Sequence, residues 1–479
     1  MRFASLRSTS VSLVLLAIAC GGGGGGSGSA TGGGTTGGSG ETGGSGGSDP
    51  TTAGTSAEGS GDTNPADTSA DGATSSADAS SGSGTAGSGD SSAGSDSGGD
   101  DTTGGLGGEP NVLYVHPDGS NGDAGTIDAP MRTIQWAISQ AVDQGGIDTI
   151  RVAEGDYAYD YGNDDHVVVA DGVSLYGGYA SDWSTRDPWV HVTRLVDESQ
   201  YIASSEDDPH RAMEVPADVG ADTIIDGFEV RVTVGQFRAG ILVLGDATIR
   251  NNRLLPTMAF ESVATAGVRI LGGDPTIAAN RFAFEIDDSQ GSATGIDAEE
   301  SDGVFVDNVI DMRSDGAYQF GIRLVYGAPQ IVANSIYLEA ATNEVGIWLL
   351  AATPVIDNNL IETEEFDGVC VWSVGAQSVP TAMRNNLLDC YYTMFGSDPL
   401  RSWLTIMDLE SGLAGATDNV KLQALVTHPD QDMALDAGDP CTVTQGGRDV
   451  SGEVPEDIDG VPRTAPLSIG AHEWDAGCR

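Results

Sequence analysis

One asparagine returns at a nearly fixed interval through the middle of the chain, as Asn252, Asn280, Asn308, Asn334, Asn359 and Asn386, 25 to 28 residues apart. Units of that length cannot each close a core, so they must stack on one another. Every copy has the same layout: a glycine, alternating apolar residues, a turn, then a second apolar run around the Asn. The clearest copies are GVRILGGDPTIAANRFAF from 267 and GIWLLAATPVIDNNLIET from 346.

Placed in register on that glycine, the copies separate inside from outside. Ile241, Val268, Ile296, Ile322, Ile347 and Val369 form one apolar column, and Val243, Ile270, Ala298, Leu324, Leu349 and Val371 form another. Both face inward, since side chains of a strand alternate between its faces. The position between them reads Leu242, Arg269, Asp297, Arg323, Trp348, Cys370, the mixed composition of an outward column. Around the Asn, the residues three before it (Ile249 to Met383) and two after it (Leu254 to Leu388) are apolar in all six copies.

Period-2 strands, Gly, Pro and Asn turns and no helical periodicity between them specify an all-β chain, a parallel β-helix with one copy per rung. Leucine-rich repeats share the period but need a Leu framework that is missing. The Asn is expected to occupy a sharp left-handed bend and to hydrogen-bond its counterpart in the next rung. Nine or so rungs at ~4.8 Å each predict a rod of about 40 Å. Its open ends need covers. Ile134, Ala137, Ile138 and Ala141 fall at helical spacing with Thr133 as a cap, which predicts a capping helix over the first rung.

That helix, the preceding YVHPDGSNGDAGT and the following DTIRVAEGDY together resemble the opening of the bacterial DUF1565 proteins of unknown function. This family is a branch of the pectate-lyase-like β-helices, and the resemblance implies a right-handed, single-stranded parallel β-helix. ALDAGDPC from 434 and DIDGVPRTAPLSIGAHEWD from 457 resemble the terminal segment of many secreted or anchored β-helices, which implies a closing rung. The expected divisions are 1–20 signal peptide, 21–110 linker, 111–180 cap and first rungs, 181–395 regular rungs and 396–479 closing rungs.

Arg2 and Arg7 precede an apolar run of signal-peptide length, so export is expected. Leu16-Ala17-Ile18-Ala19-Cys20 resembles a bacterial lipoprotein cleavage box, which implies lipidation at Cys20 and attachment to the outer membrane or cell surface. The Gly, Ser, Thr, Ala and Asp of the linker offer nothing to bury, which predicts disorder and a reach of roughly 50 Å. The net charge is −50, about −40 of it after residue 110. Nucleic acid is excluded as a partner, and an acidic polysaccharide would need a bridging Ca²⁺. A monomer is expected.

In an exported protein the remaining cysteines should pair. Cys441 and Cys478 flank the closing segment, and their bridge would contribute roughly 4 kcal/mol. Cys370 falls in the outward column and Cys390 in the inward column of Phe284, Met312 and Leu338, which argues against joining them.

Catalytic groups are sparse. The family's lyases use a Lys or Arg base, yet Lys421 is the chain's one lysine and lies beyond the regular rungs. The Gly-His-Gly and Arg-Ile-Lys signatures of the related polygalacturonases are missing, and the six histidines lack metal-ligand spacing. Asp457 and Asp459 form a fragment of a Ca²⁺ loop, for which a plain turn is the simpler reading. The outward column supplies one candidate face. Arg269 and Arg323 could serve as base or carboxylate clamp, Asp297 and Glu299 as acid or Ca²⁺ ligands, and Trp348 as a sugar platform. The competing structural reading is a charge ladder relieving repulsion between rungs, with Trp348 packed under a loop. The expected function is non-catalytic binding or display toward carbohydrate or matrix. A polysaccharide lyase or glycoside hydrolase on the Arg269 to Trp348 face is the rival, and protein docking the third possibility.

Overall fold

The computed structural model describes residues 109–473 except 161–165, 200–203, 234, 259–262, 287–290, 314–317, 340–342, 365–366, 398–400, 423–440, 452–454 and 466. The expected signal peptide, Cys20, nearly all of the 21–110 linker and Cys478 lie outside the described residues.

The repeats stack as a parallel β-helix, but each contributes three strands rather than two, because the Asn is itself a corner. In one rung, Ser292–Glu299 lies in sheet 1, Val304–Val306 in sheet 2 and Val309–Arg313 in sheet 3. Each strand pairs in parallel with its equivalents in the rungs on either side. Sheet 2 holds 11 strands among the described residues, which at ~4.8 Å per step makes a rod of roughly 50 Å. The inward columns of the first five copies, from Ile241 to Ile347 and from Val243 to Leu349, are buried along the axis in one continuous core.

At the sheet 2 to sheet 3 corner the ladder forms as expected. Asn308 Nδ2 donates to Asn334 Oδ1 at 3.0 Å and to the Ile277 carbonyl at 2.8 Å, and Asn308 N–H reaches the same Asn334 Oδ1 at 3.0 Å. The left-handed bend, however, falls one residue earlier. Ala279, Asp307, Ala333 and Asn358 have φ of 52°, 53°, 55° and 57°, so the ladder Asn side chains turn inward while the residues before them face out. The ladder continues to Asn419, 33 residues beyond Asn386 and outside the regular spacing.

Helix Ile134–Gln144 covers the first rungs, with Thr133 accepting from Trp136 N–H and Ile134, Ala137, Ile138 and Ala141 buried. Of the segments expected to close the far end, 434–440 and 474–475 lie outside the described residues, and among the described residues other elements cover that end. Strand Arg401–Trp403 turns back antiparallel on Thr393–Ser397, and helix Ile406–Gly412 buries Leu409 in the core. The terminal segment instead runs outside the rod as a strap. Its Val443, Ile458, Ile469 and Ala471 pack on Val309, Leu360 and Leu387, and its Val450 and Leu467 pack on Val306 and Val332.

Cys370 and Cys390 are bonded, with Cα atoms 5.5 Å apart, which overturns the expectation that they stay separate. The copy from 368 is out of register by two residues, since Ile347 pairs with Val371 and Trp348 with Trp372. Cys370 therefore occupies the position of Gly346, where a Cβ would lie 2.3 Å from Ile361 Cγ2 in the core. It points inward, as Cys390 does. Cys441 is disulfide-bonded, and its expected partner Cys478 is among the residues not described.

Candidate functional site

In sheet 1, the outward column reads Glu214, Leu242, Arg269, Asp297, Arg323, Trp348, Trp372 and Gly396 along the rod. Parallel in-register pairing stacks these side chains one rung apart, and composition divides the column in two.

The charged part is paired within itself. Arg269 Nη1 lies 2.8 Å from one oxygen of Asp297 as an ion pair, and Arg323 Nε donates to the other at 2.8 Å. Arg269 Nη2 also reaches Glu299 at 3.0 Å, and Arg323 Nη2 reaches Glu206 at 3.2 Å, a partner from a separate loop that the repeat pattern did not disclose. Arg269 is 3 % exposed and Asp297 8 %. Burial pushes the Asp297 carboxyl up, but the two guanidiniums outweigh it and hold the group below the usual carboxylate range. Burial also works against the Arg323 charge, yet Asp297 and Glu206 drive its pKa above the ordinary arginine value. An arginine so held is a poor base, and an acid so depressed is a poor proton donor. The network is the charge ladder, with every candidate acid and base committed to another.

Beyond Arg323 the outer face turns apolar. Trp348 is 6 % exposed and packs with Phe320, their ring centroids 6.3 Å apart, while Val345, Leu350, Trp372 and Val374 flank it. It is therefore no open platform, contrary to the role expected of it. Its indole Nε1 is buried with no hydrogen-bond partner among the described residues. The more open ring is Trp372, which is half-buried and lies over Gly396, where a Cβ would stand 2.3 Å from the ring. Sequence reasoning missed Trp372 through the same two-residue slip that misplaced Cys370. The 24-residue spacing of Trp348 and Trp372 was the available signal.

Asp457 and Asp459 behave as a turn. Asp457 accepts from the N–H groups of Asp459 (2.9 Å), Val461 (2.7 Å) and Glu473 (2.7 Å). Asp459 binds Arg281 at 2.9 Å and His472 Nδ1 at 2.9 Å. The three ligand-type side chains lie within 4.8 Å of one another, but their carboxylates already have partners and a guanidinium stands where a cation would be repelled.

A family model described as a protein of unknown function, DUF1565, matches residues 118–316. Solved structures similar to this chain include pectate lyase Pel9A, at 16 % identity over 78 % of this chain and 91 % of that one, with a TM-score of 0.39. A rhamnogalacturonan lyase matches at 10 % identity over 74 % and 95 %, with a TM-score of 0.35. No curated protein matches.

Proposed function

We propose that the chain is a non-catalytic binding rod, exported and anchored through lipidated Cys20 at the cell envelope. The sheet 1 face around Trp372 serves as its contact for carbohydrate or extracellular matrix. One observation carries this reading: Arg269, Asp297, Arg323 and Glu299, the groups that could run a lyase or hydrolase reaction, are tied to one another. A rigid charge ladder then leads into the aromatic part of the face. There Trp372 offers a half-buried ring at the edge of the apolar cluster of Phe320 and Trp348, the kind of surface on which sugar rings stack. The acidic domain disfavours uronates and favours neutral sugars, unless Ca²⁺ bridges.

A glycan array with and without Ca²⁺, followed by an assay for unsaturated products, tests the proposal. Binding without turnover, weakened at least tenfold by Trp372→Ala, is expected. Unsaturated product that disappears in Arg323→Ala would establish the lyase instead. Absence of any glycan binding would leave protein docking.

A further inference from the structure

The strap meets the rod at a buried cluster with too few cations. The Arg463 side chain is fully buried; Nη2 contacts the carboxylate of Asp307 on the rod, and Nη1 that of Glu473 on the strap itself. Nη2 also donates to the carbonyls of Gly470 at 3.2 Å and Ala471 at 3.4 Å, so the same guanidinium shapes the strap's last turn. Asp457 adds a third carboxylate from the strap. The rungs on either side of Asp307 place uncharged Ala279 and Ala333 at its corner position. One guanidinium therefore faces two carboxylates directly, with side chains 5 % and 6 % exposed, while Asp457 adds its repulsion to Asp307 from beyond them. Burial pushes the Asp307 carboxyl up to about 8 in spite of Arg463, and pushes Glu473 up as well.

We propose that the strap is a pH-operated latch, sealing the apolar outer wall of the rod while Asp307 is protonated and loosening as that proton is lost. The covered wall includes Val306, Val309, Val332, Leu360 and Leu387, outward residues that form an apolar stripe once the strap lifts. The direction follows from linkage. A carboxyl that titrates higher in the closed state favours closure fully below its ordinary pKa of about 4. That preference falls tenfold per pH unit up to about 8 and is constant above.

Hydrogen exchange on the full chain tests this, through the N–H groups of Gly470 and Ala471, which bond the Asn358 carbonyl at 2.7 Å and Ser335 Oγ at 3.0 Å. After correction for intrinsic exchange, their protection should fall about tenfold per pH unit between pH 5 and 8 and then level. The ladder amides of Asn280 and Asn308 should not change. Asp307→Asn, neutral at every pH, should keep the strap protected through pH 9. Glu473→Gln should carry protection to higher pH by relieving Arg463 of a competitor. A pH-independent strap overturns the latch. So does a wild-type slope surviving in both variants, or an Asp307→Asn strap unprotected at every pH.

Discussion

Asp307 and Asn308 are neighbours in the chain and occupy the same corner, yet they belong to different physical regimes. Asn308 turns inward, between two copies of itself, and both its amide groups and its backbone N–H are matched by identical neighbours. Asp307 turns outward on a left-handed backbone and meets Arg463, 156 residues away in sequence, in a cluster whose charges do not balance. The inner side of the corner is stabilised by repetition. Its outer side depends on one aperiodic segment. The ladder should therefore yield large, pH-insensitive effects, and the strap small, local, pH-sensitive ones.

The largest effect should come from breaking the ladder. Asn308→Leu takes the partner from the Asn280 backbone N–H and from one of the two Asn280 amide N–H groups (the other keeps the Ile249 carbonyl at 2.9 Å), and removes the Asn308 bond to the Ile277 carbonyl. At roughly 1 to 2 kcal/mol per unmatched group, about 4 kcal/mol should be lost in urea unfolding. A loss under 1 kcal/mol would mean that the stacked apolar columns alone carry the rod.

The same contrast decides what was legible in the sequence. Asn252 to Asn386, the inward columns and the Arg269, Asp297, Arg323 stack were readable because a repeat displays each environment several times, and a column averages out any single exception. Cys370 and Trp372 were misread because their copy keeps a glycine at 368 that is not the repeat's glycine, and nothing local betrays a two-residue shift. Asn419 escaped because the capping hairpin and helix lengthen its interval. The strap was recognised by resemblance and expected to close the rod, whereas its described residues pack along the outer wall. Its contacts, such as Arg281 with Asp459 across 178 residues, have no period to reveal them.

Next in size is the Cys370–Cys390 bridge, which closes a loop at sequence separation 20. Loop-closure entropy gives about 3 kcal/mol. Replacing both cysteines by alanine should lower rod stability by that amount in denaturant. Strap protection at Gly470 should stay at its wild-type value, and a parallel loss there would show that the two regions unfold as one.

Acid should separate the regions by sign. Asp197 is fully buried against His210 at 3.3 Å. Burial pushes its carboxyl up, but hydrogen bonds from His210, Ser199 and Thr233 outweigh that and hold it at about 2. A depressed carboxyl contributes stability above its ordinary pKa of about 4 and loses it as pH falls toward 2, about 2 kcal/mol here. Asp307 runs the other way, losing stability as pH rises from about 4 to about 8. Thermal unfolding should report the first, with Asp197→Asn flattening the acid limb. Exchange at Ala471 should report the second.

The smallest effect tests whether the strap reads the corner at all. Where the outward corner residue is Asn358, its amide donates to the Arg448 carbonyl at 2.7 Å and accepts the Arg448 N–H at 2.7 Å, the two-bond pattern of a short strand pair. Asn385 repeats half of it, donating to the Gly446 carbonyl at 2.9 Å. Ala279 and Ala333 hold the same left-handed conformation at corners where no such bond is needed. Asn358→Ala keeps the fold's geometry within reach, since alanine already occupies this conformation twice, and removes only the docking bonds. About 1 kcal/mol should be lost, and locally. Exchange at Arg448 should quicken roughly fivefold while the urea midpoint barely moves. A shift of the whole transition would place the strap inside the cooperative unit of the rod, and the two sides of the corner would then be one structure rather than two.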